Sequence, residues 1–509
     1  MVGYKKSGLM HNLLSKRFLF PFLAFVVPLL LRTIPEVLMG PYVVGFDTMG
    51  HYVPTTLLWL RGDVSFLSFI GTAPLFYSII VSLVSLGGSL VWVLKVISVA
   101  INGFLGLSIF GFAQRGLGWS SRKSLATALF GTLYFVALRV SWDSLRNMLG
   151  LVFFFVVLTL FSLSERKGYS WKSCVALSLS MVAVVLSHQL VSVIMLGVFA
   201  FTVGYKLIRR KQAKATRLVL VYLPAALLFL AMFFLVHSVS EFRLIFGFSN
   251  ANDGWLSLFG FSSYPTMLLS EAGFFFYCFL PLLPLMFVGI WRLKNFQIRS
   301  WLVVSLILLF VPMVSPSNLR WILMLTYPMA FCVVEALSRL KSVSWKRFGF
   351  TLRRIGIIYL VLIVSVLSLG FMLMPPQNPF PYFSQPVNGY IYQIPTSMQQ
   401  NTIPKAYCAD TVNALQWFRD HVDTGGALLT HRAFYGWAML TVNAEQIVLY
   451  EYDNPANAAQ TVAREGQSKI YLIWWINGEG WYGQPTVPSS FEEVYHSGEI
   501  AIYIYEAAS

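Results

Sequence analysis

About eleven apolar runs follow one another along this 509-residue chain, each near the roughly 20 residues a helix needs to cross a hydrocarbon core. Short basic clusters separate them. In lipid every backbone N–H and C=O must find a partner within the chain, so such runs become α-helices packed as a bundle. The composition agrees: 57% of residues are hydrophobic and 11% charged, against about 25% charged in soluble domains. The basic start (Lys5, Lys6, Lys16, Arg17) and the apolar run from Phe18 to Leu31 resemble a signal peptide. No small-residue cleavage site follows and many spans do, so the run reads as an uncleaved first helix.

A net charge of +16 suggests nucleic acid in a soluble protein, but its distribution argues otherwise. From Pro375 onward five basic residues face twelve acidic ones, net −7, which leaves +23 on residues 1–374. That charge collects at 5–17, 115–123, 166–172, 206–217, 292–299 and 339–354, the pattern that fixes cytoplasmic loops. The parity of crossings decides residues 74–88: they must lie along or dip into the outer leaflet, because a full crossing would put the 115–123 cluster outside. The spans fall near 18–38, 91–113, 124–140, 145–163, 172–187, 189–207, 217–236, 272–291, 300–314, 319–338 and 355–374. The chain is thus expected to be a multi-pass cell-membrane protein with a cytoplasmic N-terminus and an extracytoplasmic tail.

Three regions result: a transmembrane domain over 1–374, with juxtamembrane helices in an outer loop at 39–90; an extended Pro-rich linker over 375–407; and a small α/β domain over 408–509. In the tail, "DTVNALQWFRDHV" has helical spacing, with Val412, Leu415, Trp417 and Phe418 on one face. "ALLT", "QIVLY" and "KIYLIWW" read as buried strands. "FEEVYHSGEIAIYIYE" reads as a hairpin turned at Ser497-Gly498. The four cysteines imply no disulfide framework. No phosphate-binding Gly loop, metal-type Cys/His spacing, nucleophile elbow or internal repeat is present in the sequence.

The unusual polar residues gather on one side. The first outer loop carries Asp47 and His51, and the second Arg139, Asp143 and Arg146. The third carries His188 and Gln189. The fourth, 237–271, carries His237, Glu241, Arg243, Asp253 and Glu271. The fifth carries Asn318 and Arg320. Ionisable groups beside hydrocarbon are costly, so clusters of them are usually paired or functional. Each has a plainer reading. Asp143 and Arg146 at i,i+3 can be a helix-end pair. His188 can satisfy backbone groups in its turn. Asp47 can cap the helix that follows. Asp47 is the strongest candidate, because it has no Lys or Arg within ten residues.

In order along the chain, "GFDTMGHY", "APLFYSII", "SWDSLRNMLGL", "LSHQL", "SNLRWILMLTYPMA" and "NALQWFRDHV" resemble the GT-C superfamily of polytopic glycosyltransferases. That superfamily includes protein mannosyltransferases and aminoarabinose transferases and, more distantly, the oligosaccharyltransferase catalytic subunit. The chain looks most like archaeal-type members. The resemblance implies Asp47 as catalytic base or metal ligand, with Asp143 in a loop that carries a second acidic motif. Arg320 falls at the basic position that holds the lipid phosphate. Thr48 stands where many relatives have a second acid, and "WWING" at 474–478 only partly echoes the WWDYG motif, so an oligosaccharyltransferase proper is disfavoured.

The expected activity is an inverting transfer of sugar from a polyprenyl- or dolichyl-phosphate donor to a protein, lipid or glycan acceptor at the outer face. Asp47 is the expected catalytic residue; His51, Asp143, Arg146, His188 and Arg320 are expected to bind substrate. No cofactor is required, unless Asp47 and Asp143 ligate Mg or Mn. Expected partners are the lipid-linked donor, the acceptor and membrane lipids, with no nucleic acid. Two other classes compete: a transporter or flippase, for which Lys95, Asn102 and Glu335 are the mid-membrane polar candidates, and a non-catalytic scaffold. Charge asymmetry predicts that single cysteines at 206–217 are labelled only from the cytoplasm and those in the 408–509 domain only from outside. A cysteine scan with a membrane-impermeant thiol reagent checks this, and outside labelling of 206–217 overturns it.

Overall fold

The computed structural model describes residues 16–237, 264–310, 318–340, 351–450, 454–467, 469–477 and 487–505. The sequence readings at 5–15, at Glu241, Arg243 and Asp253, at 341–350 and at the last residue of "WWING" lie outside the described residues.

Among the described residues, eight helices are long and apolar enough to cross a membrane. They become nine when Ser121–Leu133 and Phe135–Asp143, bent by 58°, count as one span. The chain is a multi-pass α-helical membrane protein. An eleven-span count also needs Trp171–Ser187 and Phe296–Phe310 to cross, at 17 and 15 residues. At 1.5 Å per residue these reach only about 26 and 22 Å of the roughly 30 Å core. The span expected at 272–291 begins earlier, at Tyr264, so Glu271 sits buried within a helix rather than in a loop.

Residues 48–85 form a π-helical turn, Thr48–Tyr52, followed by the short helices Val53–Arg61, Phe66–Gly71 and Pro74–Ser85. The last has 12 residues, about 18 Å, too short to span. The break at Tyr134 frees carbonyls, and side chains take them: the Ser368 hydroxyl donates to the Leu133 carbonyl.

Three charged residues at one end of the bundle were not connected in the sequence. Arg32 and Glu36, on Lys16–Leu38, pair at 2.9 Å, and Lys95, on Leu90–Gly111, stands 3.5 Å from Glu36; all three are buried. The Lys95 ammonium donates to the carbonyls of Glu36, Gly40 and Tyr42 at 2.7, 2.8 and 2.7 Å. It therefore closes the end of the first helix and fixes the loop beyond it. Arg32 Nε donates to the Ser141 carbonyl at 3.1 Å and ties this corner to Phe135–Asp143.

The tail folds as a five-stranded sheet of order β2-β1-β3-β5-β4. β1 (Gly426–His431) lies parallel to β2 (Ile447–Tyr450) and β3 (Lys469–Trp475), through the helices Arg432–Thr441 and Pro455–Arg464. β5 (Ile500–Tyr505) pairs antiparallel with β3 and with β4 (Phe491–Ser497). The hairpin turns at Ser497-Gly498 as its sequence suggests; Gly498 has φ +52°. On the helix Cys408–His421, Leu415 and Phe418 are buried as expected, but Thr411 and Ala414 join them while Val412 and Trp417 stay half-exposed.

Residues 375–407, expected as an extended linker, carry short helical turns at Pro381–Phe383 and Lys405–Tyr407 and pack against both domains. Ser397, Gln399, Gln400, Asn401 and Thr402 are buried. Asn401 donates to the Val43 carbonyl at 3.0 Å. The Gln400 carbonyl accepts from Gly45 N at 3.0 Å and Trp142 Nε1 at 3.1 Å. Thr402 donates to the Ala433 carbonyl at 2.7 Å and so reaches the tail domain. The Asn401 and Thr402 side chains are among the groups that strap the domain down. Gly436, on Arg432–Thr441, presses on the π-turn: a Cβ there would lie 1.9 Å from the Met49 carbonyl oxygen. Gly436→Val is expected to cost about 1–3 kcal/mol through overpacking. The expected readout is a lower melting temperature and faster proteolysis after residue 375; an unchanged pattern contradicts the docking described.

Candidate active site

Asp47 is presented by a turn that only glycine permits. Gly45 has φ +101°, and a Cβ there would fall 2.0 Å from the Trp142 carbonyl oxygen. The chain therefore passes hard against Phe135–Asp143 before opening into the π-turn, a geometry frequent at functional sites. Asp47 occupies the cap position of that turn, yet its side chain makes no capping hydrogen bond. The carboxylate is 16% exposed, and Asp47 Oδ1 is 3.9 Å from His51 Nε2.

A cavity of about 320 Å³ lies in front of it, lined by Asp47, His51, Tyr52, Thr55, Gly71, Thr72, Tyr77, Arg146 and Arg320. This is at the small end of the range for ligand pockets. Four of the six residues read from the sequence, Asp47, His51, Arg146 and Arg320, share this wall. Arg146 comes from the first turn of Leu145–Lys167. It donates to the Thr72 carbonyl, just before Ala73, which is held in the left-handed region at φ +56°. Its guanidinium also faces the rings of Tyr77 and Tyr52, at 5.6 and 6.0 Å. Arg146 Nε is buried without a hydrogen-bond partner, a donor left over beside the cavity. Arg320 enters from Asn318–Met324. Burial, then the Asp47 charge, pushes the Tyr52 phenol well above its usual range, so it stays a neutral donor. Its hydroxyl donates to the Asp143 carbonyl at 2.8 Å.

Asp143 and His188 stand behind this wall rather than in it. The helix-end pair expected between Asp143 and Arg146 is not formed. Asp143 pairs with Arg139 one turn earlier, both side chains buried, and accepts from the Ser144 hydroxyl at 2.8 Å. Arg139 also donates through Nε to the Gln393 carbonyl, so this guanidinium is held away from the cavity wall. Four residues apart on a helix, side chains are neighbours, and that register decides the partner. His188 accepts from Leu190 N at Nδ1, 3.0 Å, and caps the helix Gln189–Ile208. Its neutral ring therefore carries the proton on Nε2. Burial first, then the charges of Arg146 and Arg320, hold it well below the ordinary histidine range. The plain turn reading of His188 is met, and the residue also neighbours both cations. Among the described residues no group of three His, Cys, Asp or Glu is gathered to hold a metal, and the Asp143 carboxylate is already engaged by Arg139 and Ser144.

One residue at the site escaped the sequence reading. Arg432 Nη2 lies 2.9 Å from His51 Nε2. Arg432 opens the helix after β1, at the C-terminal end of a parallel strand where α/β domains commonly place functional groups. Its position after the buried strand was the available signal; nothing local linked it to a loop 381 residues earlier.

No family profile matches the chain, and no curated protein matches it. Solved structures do. The chain is similar to ArnT from Cupriavidus metallidurans bound to undecaprenyl phosphate, with a TM-score of 0.51 at 13% identity, over 96% of this chain and 98% of that one. The apo form of the same protein gives a TM-score of 0.52 at 12% identity, over 98% of both chains. The mycobacterial arabinofuranosyltransferase AftD gives 0.53 at 15% identity, over 97% of this chain and 40% of its own length. The chain has the GT-C type of fold: a polytopic helical bundle with a small sheet domain at its C-terminal end.

The two acids separate in a test. Asp143→Asn strands the buried Arg139 charge and is expected to cost about 3–5 kcal/mol. It is read as a fall in melting temperature in detergent, whereas Asp47→Asn, at a wet wall, should leave the melting temperature nearly unchanged. Equal thermal effects contradict the placement of Asp143.

Proposed function

We propose that the protein is a membrane glycosyltransferase that moves a sugar from a polyprenyl-phosphate carrier to an acceptor, with inversion at the anomeric carbon. One observation carries this reading: a lightly paired carboxylate, Asp47, shares a single cavity with two guanidiniums, Arg146 and Arg320. The fold shared with ArnT and AftD supports the same class of chemistry.

In this reaction the acceptor hydroxyl attacks the anomeric carbon from the face opposite the phosphate. Its proton passes to the Asp47 carboxylate as the new C–O bond forms. The old bond between the anomeric carbon and the phosphate oxygen breaks, and the polyprenyl phosphate leaves with that electron pair. Arg320 and Arg146 bind the phosphate and stabilise the charge that grows on it. Arg146 is held in place by the Thr72 carbonyl with its side chain on the cavity wall. Arg432 lies against His51 on the cavity wall and fits a role in orienting that side chain. We further propose that transfer occurs at the outer face, and that dolichyl carriers and an archaeal-type assignment belong to the same reading. The acceptor class (protein, lipid or glycan) is left to assay.

The transporter reading needs polar residues along a path through the bundle. The candidates for such a path are spoken for. Lys95 holds three carbonyls, Asn102 Nδ2 donates to the Pro28 carbonyl at 2.9 Å, and Glu335 pairs with Lys123 and Arg339. These partners favour the transferase.

Asp47→Asn is expected to lower transfer from a radiolabelled polyprenyl-phosphate sugar by roughly 100-fold or more, the usual contribution of a general base. Arg320→Ala should raise KM for the donor and lower kcat together, because the phosphate is charged in the ground state and gains charge as the bond breaks. Chelator should change little if Asp47 acts as a base; a strict Mg or Mn requirement would instead make Asp47 a ligand. Full activity in folded Asp47→Asn overturns the mechanism.

A further inference from the structure

A second cavity lies at the other end of the bundle. Ser121–Leu133, Thr326–Arg339 and Leu352–Leu373 enclose a groove of about 620 Å³. Its walls are apolar, chiefly Leu129, Phe130, Leu133, Leu337, Leu360 and Val364, and it shares no residue with the Asp47 cavity. Arg122, Lys123 and Arg353 stand at one end of it.

The charges there do not balance. The nearby carboxylate, Glu335, is already taken by Lys123 and by Arg339 at 2.9 Å. Arg122 and Arg353 are exposed and form no ion pair among the described residues. The groove follows the Ser121–Leu133 helix from Arg122 to Leu133, about 16 Å at 1.5 Å per residue. That is close to half of the roughly 30 Å hydrocarbon core, the depth of one leaflet. An apolar slot one leaflet deep with two unpaired guanidiniums at its mouth complements a single kind of molecule.

We propose that this groove binds an anionic phospholipid from the leaflet on the basic side. The phosphate lies between Arg122 and Arg353, and one acyl chain runs down to Leu133 and Val364. Bound there, the lipid fastens Leu352–Leu373 to the bundle. That helix is 28% buried over its apolar window and leads directly into the strap that carries the tail domain. The site is separate from the transferase reading, and its test does not use sugar transfer.

The experiment is native mass spectrometry on the full chain in detergent, titrated with phosphatidylglycerol or with phosphatidylcholine. Phosphatidylglycerol should be retained at least about tenfold more tightly. Arg122→Gln with Arg353→Gln should weaken it about 20-fold, near fivefold per cation beside an anionic headgroup, and bring it close to phosphatidylcholine. Val361→Trp lines the same groove from its exposed side and should block binding with both cations intact. Equal retention of the two lipids by the native chain overturns the proposal. So does undiminished phosphatidylglycerol binding in the double variant, or preferential displacement by undecaprenyl phosphate, which would mark a carrier-lipid site instead.

Discussion

A chain that leaves helical geometry beside hydrocarbon must satisfy its freed backbone groups from within, and the Asp47 end of this protein is organised around that demand. The segment from Gly40 to Asp47 leaves the first helix and is buried at Val43, Val44 and Gly45. Lys95 takes the carbonyls at Glu36, Gly40 and Tyr42, Asn401 takes Val43, and the Gln400 carbonyl receives Gly45 N–H. Glu36 and Arg32 offset the cost of burying the ammonium. A loop held this way keeps its shape through these hydrogen bonds. That rigidity lets one carboxylate stand at a fixed place on a cavity wall.

The same end of the bundle sorts its arginines into two uses. Arg139 and Arg146 are seven residues apart in a single stretch of sequence, yet the break at Ser144 sends them opposite ways. Arg139 turns back into the protein, where it meets Asp143 and the Gln393 carbonyl, and it does not line the Asp47 cavity. Arg146 starts the next helix, is braced by Thr72 and two aromatic faces, and keeps a donor unspent. A guanidinium that is positioned but not neutralised is what phosphate recognition requires. Charge alone does not distinguish the two residues; the helix break between them does.

Much of this was legible in the sequence because hydropathy and turn chemistry are local. The helices fell close to their expected places, the 48–85 segment resolved into pieces too short to span, and the tail hairpin turned at Ser497-Gly498. Asp47, His51, Arg146 and Arg320 met on one wall because they share one end of the bundle, which loop order reveals. What the sequence hid was pairing. The partner of Asp143 lies four residues back and was set by a helix register that runs on to residue 143; the strap at 397–402 fell in a stretch whose prolines read as extended linker, and Arg432 reaches His51 through tertiary docking alone. Glu36 and Arg32 were passed over because a single charge in an apolar run gives no hint of what it will meet.

The docking of the tail has a consequence for the site itself. Gly436 packs on the Met49 carbonyl, Trp437 stacks edge-on with Tyr42 at 5.5 Å, and Arg432 lies against His51. All three contacts fall on the loop that carries Asp47. The loop that forms part of the cavity wall is therefore held by the tail domain as well as by the helical bundle. On the proposed reaction, losing the small domain would release His51 and the π-turn and so loosen the placement of Asp47, which makes the domain bear on the site as well as on the scaffold.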